Sequence, residues 1–148
     1  MRLLALLFDD IDFVQTQSLP HGELWLFLPI GYLFTILIET PILLMGLPSK
    51  VSVKHRLLSG VWLTACTYPI VILVLPTIFF GQPRWAYLAV AETFAPIAEC
   101  VIFWLAFRSR VSMTALEWVR SFVVITIANL SSFGLGEVLN HVGWFGLF

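Results

Sequence analysis

The chain has 148 residues, of which 59% are hydrophobic and 11% charged, with a formal net charge of −1. A soluble domain carries about 25% charged residues, so the composition excludes an ordinary globular protein and points to an integral membrane protein with room for four or five spans. No basic cluster large enough for nucleic acid is present, and the short apolar run Leu3–Phe8, followed at once by Asp9, Asp10 and Asp12, does not make a signal peptide.

Residues 1–23 read as an extramembrane or interfacial arm, acidic and polar after the first apolar run. A first membrane helix is expected over 24–47, with Pro29 near its start and Pro41 deep inside, where the missing N–H predicts a kink. Glu39 shares a stripe of this helix with Tyr32, Thr35 and Gly46. A basic loop with Lys50, Lys54 and Arg56 leads to a second helix over 57–80. That helix has a stripe of Gly60, Thr64 and Thr67, then Pro69, a second predicted kink, and Pro76. The tight turn Gly81-Gln82-Pro83-Arg84 makes the second and third helices antiparallel neighbours.

The third helix, 85–107, is the least ordinary. It carries Glu92 and Glu99 with Pro96 between them, and at 3.6 residues per turn positions 92, 95, 96, 99 and 103 share a face. On insertion scales Leu, Ile, Phe and Val each contribute about −0.3 to −0.6 kcal/mol while a central Asp costs about 2.5 to 3.5 kcal/mol. The apolar residues of this helix therefore roughly offset its two acids, and it needs partner helices that solvate them. Pro96 predicts a third kink and removes the donor for the carbonyl of Glu92. Thr114 and Glu117 then have the form of a capping box opening a fourth helix over 115–140. On it Asn129 lines up with Thr126, Ser132 and Gly136, and Arg120 points to the opposite side. The aromatic tail, 141–148, suits the membrane interface.

The expected fold is thus an all-α, polytopic bundle of four transmembrane helices. The loops between helices one and two and between three and four hold Lys50, Lys54, Arg56, Arg108 and Arg110, against Arg2 and Arg84 on the other side. The positive-inside rule then sets both termini on the non-cytoplasmic side of a cell (inner) membrane. The two halves echo one another. Glu39 lies eight residues before Leu47 and Glu99 eight before Phe107, and each half returns through a helix striped with hydroxyl or amide groups, as in a parallel transporter repeat.

At 1.5 Å per residue, Glu39 and Glu99 fall about 12 Å from their helix ends, Thr67 about 15 Å in, and Glu92 and Asn129 about 20 Å in. With no Lys, Arg or His at these depths, each carboxyl must be protonated, hold a cation, or be hydrogen-bonded to hydroxyls and freed carbonyls. The candidate proton or cation site is Glu39, Glu92 and Glu99, with Thr67, Asn129 and Ser132 as neutral ligands. The bland alternative is interhelical glue, worth about 0.6 kcal/mol per polar contact. Asn129, Ser131, Ser132, Gly134 and Gly136 also have the makings of a close-packing patch. Cys66 and Cys100 read as small packing residues, and His21, His55 and His141 as solvated loop or helix-end side chains.

Catalytic templates are missing: there is no H-E-x-x-H, no G-x-S-x-G, no cysteine cluster and no base near a membrane-buried Ser or Cys. The expectation is a non-enzyme with no cofactor beyond a bound cation of unknown identity. Glu137, Asn140 and His141 are a lesser candidate for a surface metal site. Ion binding, extending to conduction or transport, is one functional class. A small accessory subunit of a larger membrane complex is another, favoured by short loops and aromatic, proline-rich surfaces. Lipid or quinone binding at the kinked helices is a third. The lipid bilayer, a homo-oligomer or a larger complex are the partners this allows.

The order of these features resembles a group of small bacterial four-helix membrane proteins without an established activity. In that group a first helix carries a Glu, a second a Thr followed after one residue by Pro or His, a third two acids seven apart, and a fourth N-x-x-S-F-x-x-G. Here these correspond to Glu39, to Thr67-Tyr68-Pro69, to Glu92 with Glu99, and, with one residue of slippage, to Asn129-Leu130-Ser131-Ser132-Phe133-Gly134-Leu135-Gly136. The resemblance covers about residues 30 to 137 and implies a shared polar core.

Overall fold

A computed structural model describes residues 21–141, with side chains over 28–139. The chain forms four helices: α1 (His21–Gly46), α2 (Val53–Ile78), α3 (Arg84–Phe107) and α4 (Ala115–His141). Each is long and apolar enough to cross a membrane, and the expected all-α, four-span architecture is the one observed. The arm and the tail lie outside the described residues, except that α1 already begins at His21 and α4 includes His141.

The helix ends have local causes. α2 starts at Val53, four residues earlier than its apolar run indicates, because Ser52 caps it: its hydroxyl accepts from the His55 N–H at 3.4 Å. α4 begins with the expected capping box. Thr114 N–H donates to Glu117 Oε2 at 2.7 Å and Glu117 N–H donates to Thr114 Oγ1 at 3.3 Å. At the other end of the bundle Gly81, at φ 77°, makes the turn into α3 that a side chain would strain.

Of the three expected kinks, Pro41 and Pro96 sit inside uninterrupted α-helices. At Pro69 the α-helical pattern of α2 gives way to a π-helical stretch, Ile70–Val74, before a last α-turn at Leu75–Ile78. Pro69 has no N–H to give to the preceding turn, and the wider π turn leaves carbonyls to spare. The Val71 carbonyl accepts from the Tyr87 hydroxyl of α3 at 3.2 Å.

The helices pack as a ring in chain order, α1 against α2 and α4, and α3 against the same two. The interior is unusual. Its fully buried side chains include Leu43, Leu63, Phe103 and Ile125, but also Glu39, Ser59, Thr64, Glu99 and Ser121. Leu37, Met45 and Leu116 are 73%, 74% and 78% exposed. Polar groups inside and large apolar groups outside is the distribution a lipid solvent requires.

Close helix approach is set by two glycines. A Cβ on Gly60 would stand 2.9 Å from Thr40 Cα, and one on Gly46 would stand 2.5 Å from the Val124 side chain. The Thr40 hydroxyl, pressed against Gly60, is the buried side-chain oxygen that lacks a partner among the described residues. The close-packing patch expected at Gly134 and Gly136 is not formed. Among the described residues, no atom beyond the chain neighbours and the helix's own backbone lies within 4 Å of a Cβ added at either, because that turn of α4 faces outward past the packed core.

The basic loops form a clamp over the end of α1. Arg56 donates from Nε to the Val51 carbonyl (2.8 Å), from Nη1 to Leu44 (2.9 Å) and from Nη2 to Pro48 (3.0 Å). Arg120 Nε donates to the Gly46 carbonyl at 2.8 Å. Lys50 reaches both the Ser112 carbonyl (3.0 Å) and Glu117 Oε2 (2.8 Å). Of these acceptors, the Leu44 and Gly46 carbonyls are ones that the C-terminus of α1 leaves without an intrahelical donor, and the other carbonyls belong to the loops. Gly60→Ala is expected to lower stability by about 1–3 kcal/mol through overpacking, whereas Gly134→Ala should be neutral or raise it by up to about 1 kcal/mol. Thermal unfolding of both variants in detergent checks the contrast.

Candidate functional site

Two of the three expected acids meet in the core. Glu39 comes from α1 and Glu99 from α3, and both are almost fully buried. Glu39 Oε2 lies 2.7 Å from Thr64 Oγ1 on α2, and its Oε1 lies 2.7 Å from Ser132 Oγ on α4. Glu99 Oε1 lies 2.8 Å from Thr67 Oγ1 on α2, and its Oε2 lies 2.8 Å from Asn129 Nδ2 on α4. Each carboxyl therefore ties its own helix to both neighbours, and each of the four contacts in the ring carries one such tie.

The spacing of the partners fixes the levels. Thr64 and Thr67 are one turn apart on α2, as are Asn129 and Ser132 on α4. Glu39 takes the nearer residue of α2 and the farther of α4, counted from the basic loops, and Glu99 takes the other two. The two acids thus stand at one depth, on opposite corners of the ring. Each neutral partner is also anchored to its own helix. The Thr64, Thr67 and Ser132 hydroxyls lie 2.8, 3.2 and 2.9 Å from the carbonyls of Gly60, Leu63 and Asn129, and Asn129 Nδ2 donates to the Ile125 carbonyl at 3.1 Å.

The echo between the two halves is realised here. A shift of 60 residues carries Gly31, Glu39, Leu43 and Leu47 of α1 onto Ala91, Glu99, Phe103 and Phe107 of α3, and every one of these is buried. A shift of 65 carries Gly60, Leu63, Thr64 and Thr67 of α2 onto Ile125, Ala128, Asn129 and Ser132 of α4, again all buried. Under the same shifts the tie Glu39–Thr64 becomes Glu99–Asn129, and Glu39–Ser132 becomes Glu99–Thr67.

Glu92 stands apart from this arrangement. It is half-buried, makes no hydrogen bond or ion pair among the described residues, and lines an open groove of about 620 Å³ on the outer face of α3 and α4. Pro96, Cys100, Trp104, Phe122 and Thr126 line the same groove. Seven residues return to within about 20° of the same face, so rotation does not separate Glu92 from Glu99. Glu92 lies two turns further from the basic loops, beyond the level at which Thr67 and Asn129 engage Glu99. Its counterpart under the 60-residue shift is Tyr32, whose hydroxyl donates to the Val61 carbonyl at 2.8 Å.

Thr67, Asn129 and Ser132 are thus placed as the sequence indicates, and Thr64 is the member that sequence reasoning left out. Its signal was present, since it shares the hydroxyl stripe of Gly60 and Thr67. Ser131 is only partly buried and donates to the Ile127 carbonyl, whereas Ser132 is buried, so Ser132 is the serine that faces the core. Glu137 is held by Arg84, whose Nη2 donates to both carboxylate oxygens at 2.7 and 2.9 Å. Among the described residues no group of three or more His, Cys, Asp or Glu is placed to hold a metal ion. Cys66 and Cys100 are free thiols.

A scan against protein-family models, a search of curated proteins and a search of solved structures each found no match.

The ties make a testable contrast. Asn129→Ala removes the amide that faces Glu99 and should cost about 1–3 kcal/mol, the penalty of a buried polar group left without its partner. Ser131→Ala, two residues on, should change stability by less than about 0.5 kcal/mol. Unfolding of both variants in the same detergent measures the difference.

Proposed function

We propose that this multi-pass membrane protein binds a proton or a cation at the Glu39–Glu99 pair, with Thr64, Thr67, Asn129 and Ser132 as neutral partners. The single observation behind the proposal is two carboxyls buried at one depth, with no Lys, Arg or His on any helix near that level. Intramembrane acids of this kind are costly, and in membrane proteins they mark ion and proton pathways. The roles are non-catalytic: the carboxyls take up the charge, the hydroxyls and amide solvate it, and transport is the extension of that binding. The basic loops are assigned to the cytoplasmic side of a cell (inner) membrane and both termini to the other side, following the charge asymmetry of the loops. Kinship with the small four-helix bacterial group belongs to the same proposal, because five of the polar positions that carry it, Glu39, Thr67, Glu99, Asn129 and Ser132, are among those that form the ties, while Glu92 is not.

A different observation favours a second reading. Glu92 faces an open apolar groove without a protein partner, which suits a helix of another chain in a larger membrane complex, or a lipid or quinone with a hydrogen-bonding head. Purification in mild detergent separates these: stoichiometric co-purifying chains support the accessory-subunit reading, and a lipid or quinone found by mass spectrometry of the extracted protein supports the other.

For the leading reading, a ligand that binds only the folded protein raises stability by RT ln(1 + [L]/Kd), about 2.7 kcal/mol at a hundredfold excess over Kd. Thermal unfolding across pH and a panel of mono- and divalent cations should show a rise with one of them. Glu39→Gln and Glu99→Gln should abolish that rise and Glu92→Gln should keep it. A flat response in the parent protein would leave the acids as structural ties only.

A further inference from the structure

Counting hydrogens at the core narrows the ligand, and this step rests on the proposal that the acid pair is a binding site. Each hydroxyl has one hydrogen to donate, yet each of the three stands in short contact with two oxygens, a carboxylate oxygen and a carbonyl of its own helix that already accepts from a main-chain N–H. Thr67 Oγ1 is 2.8 Å from Glu99 Oε1 and 3.2 Å from the Leu63 carbonyl. Thr64 Oγ1 is 2.7 Å from Glu39 Oε2 and 2.8 Å from the Gly60 carbonyl. Ser132 Oγ is 2.7 Å from Glu39 Oε1 and 2.9 Å from the Asn129 carbonyl. If both acids are ionised, one of the two oxygen–oxygen contacts at every hydroxyl has no hydrogen of its own.

At Glu99 a single added proton closes the account. Asn129 Nδ2 spends its two hydrogens on Glu99 Oε2 and the Ile125 carbonyl. The opposite amide orientation would set Oδ1 against two acceptors and is disfavoured. With a proton on Oε1, the Glu99 O–H donates to Thr67 Oγ1, and the Thr67 O–H is released to the Leu63 carbonyl. All four short contacts then have a hydrogen each. At Glu39 a proton on either oxygen raises the number of satisfied contacts from two of four to three of four.

A metal cation fits the same atoms less well. Calcium takes six to eight oxygens and magnesium a near-ideal octahedron. Here all four carboxylate oxygens already stand within 2.8 Å of a hydroxyl or an amide nitrogen. The pattern of ties points the same way, since it is a one-acid, two-partner unit occurring twice rather than one many-liganded cage. We infer that the ligand of this site is the proton, one on each of Glu39 and Glu99, with Thr67 as the acceptor of the Glu99 proton and Thr64 or Ser132 as the acceptor of the Glu39 proton.

The titratable groups that share the bundle with the pair are Tyr32 on α1, Cys66 and Tyr68 on α2, and Tyr87, Glu92 and Cys100 on α3; α4 has none between Arg120 and Glu137. Only Glu92 would add a confounding acid signal, so the experiment starts from the Glu92→Gln protein. Infrared spectra of that protein in detergent are recorded from acidic to alkaline pH, and again with sodium, potassium, magnesium and calcium. Glu39→Gln, Glu99→Gln and the double variant are added to the same background.

The expected result is a protonated-carboxyl C=O band at neutral pH, indifferent to the four cations, reduced by about half in each single variant and absent from the double one. Glu99→Gln should also unfold at the parent temperature, because the glutamine amide supplies the hydrogen that Thr67 Oγ1 accepts. Carboxylate bands at neutral pH that shift with one cation would overturn the proton assignment while leaving the binding proposal standing. Carboxylate bands that respond to neither pH nor cation would overturn both. An acid band that persists until the protein unfolds would uphold the neutral acids and overturn reversible binding.

Discussion

In a hydrocarbon solvent a carboxyl must find its hydrogen-bond partners within the protein, and that demand organises this bundle. Glu39 and Glu99 each reach the two helices beside their own, so the four-membered ring is closed by four short polar contacts at one level. Water offers such groups an alternative partner and lipid does not. The apolar effect that drives a soluble core is weak here, because Leu and Ile are as well solvated by lipid as by each other. The contacts that specify which helix sits beside which are therefore the polar ones and the close approaches at Gly46 and Gly60.

Much of this was legible in the sequence. Spans of apolar residues gave four helices, and the Thr114–Glu117 box marked the start of α4 to the residue. The acids, Thr67, Asn129 and Ser132 were legible because a polar residue inside a span is expensive and must be used. What was not legible needed the third dimension. Thr64 and Thr67 sit on the same stripe, and only the heights of the neighbouring acids show that both are engaged. Glu92 and Glu99 look equivalent at a spacing of seven and share a face, but only Glu99 stands at the level where α2 and α4 offer Thr67 and Asn129, while Glu92, two turns away, lines a groove. The start of α2 was missed because it is set by the hydroxyl of Ser52, outside the apolar run. Gly134 and Gly136 look like packing residues by type, yet among the described residues no other helix approaches them.

The two-helix units repeat their buried positions without repeating their surfaces. Position 32 is a tyrosine that donates to a backbone carbonyl, while position 92 is a carboxyl with no described partner. The departure falls outside the level of the acid pair, where the two halves keep the same pattern of ties. At the acid pair the two halves thus present the same pattern of ties, while at positions 32 and 92 they differ.

The clamp over the end of α1 changes how the cationic loops should be weighed. Five Lys and Arg residues flank the membrane in the two basic loops, but Arg56 is folded over three main-chain carbonyls and Lys50 is shared between a carbonyl and Glu117. Lys50 is thereby paired with an acid, whereas the Arg56 guanidinium keeps its charge, because carbonyls carry none. Lys54, Arg108 and Arg110 form no ion pair among the described residues, and Arg108 lies over the Trp104 ring at 4.5 Å. With Arg120 counted, one of the six cations on this face is offset by an acid, so the clamp fixes where the charge sits rather than removing it.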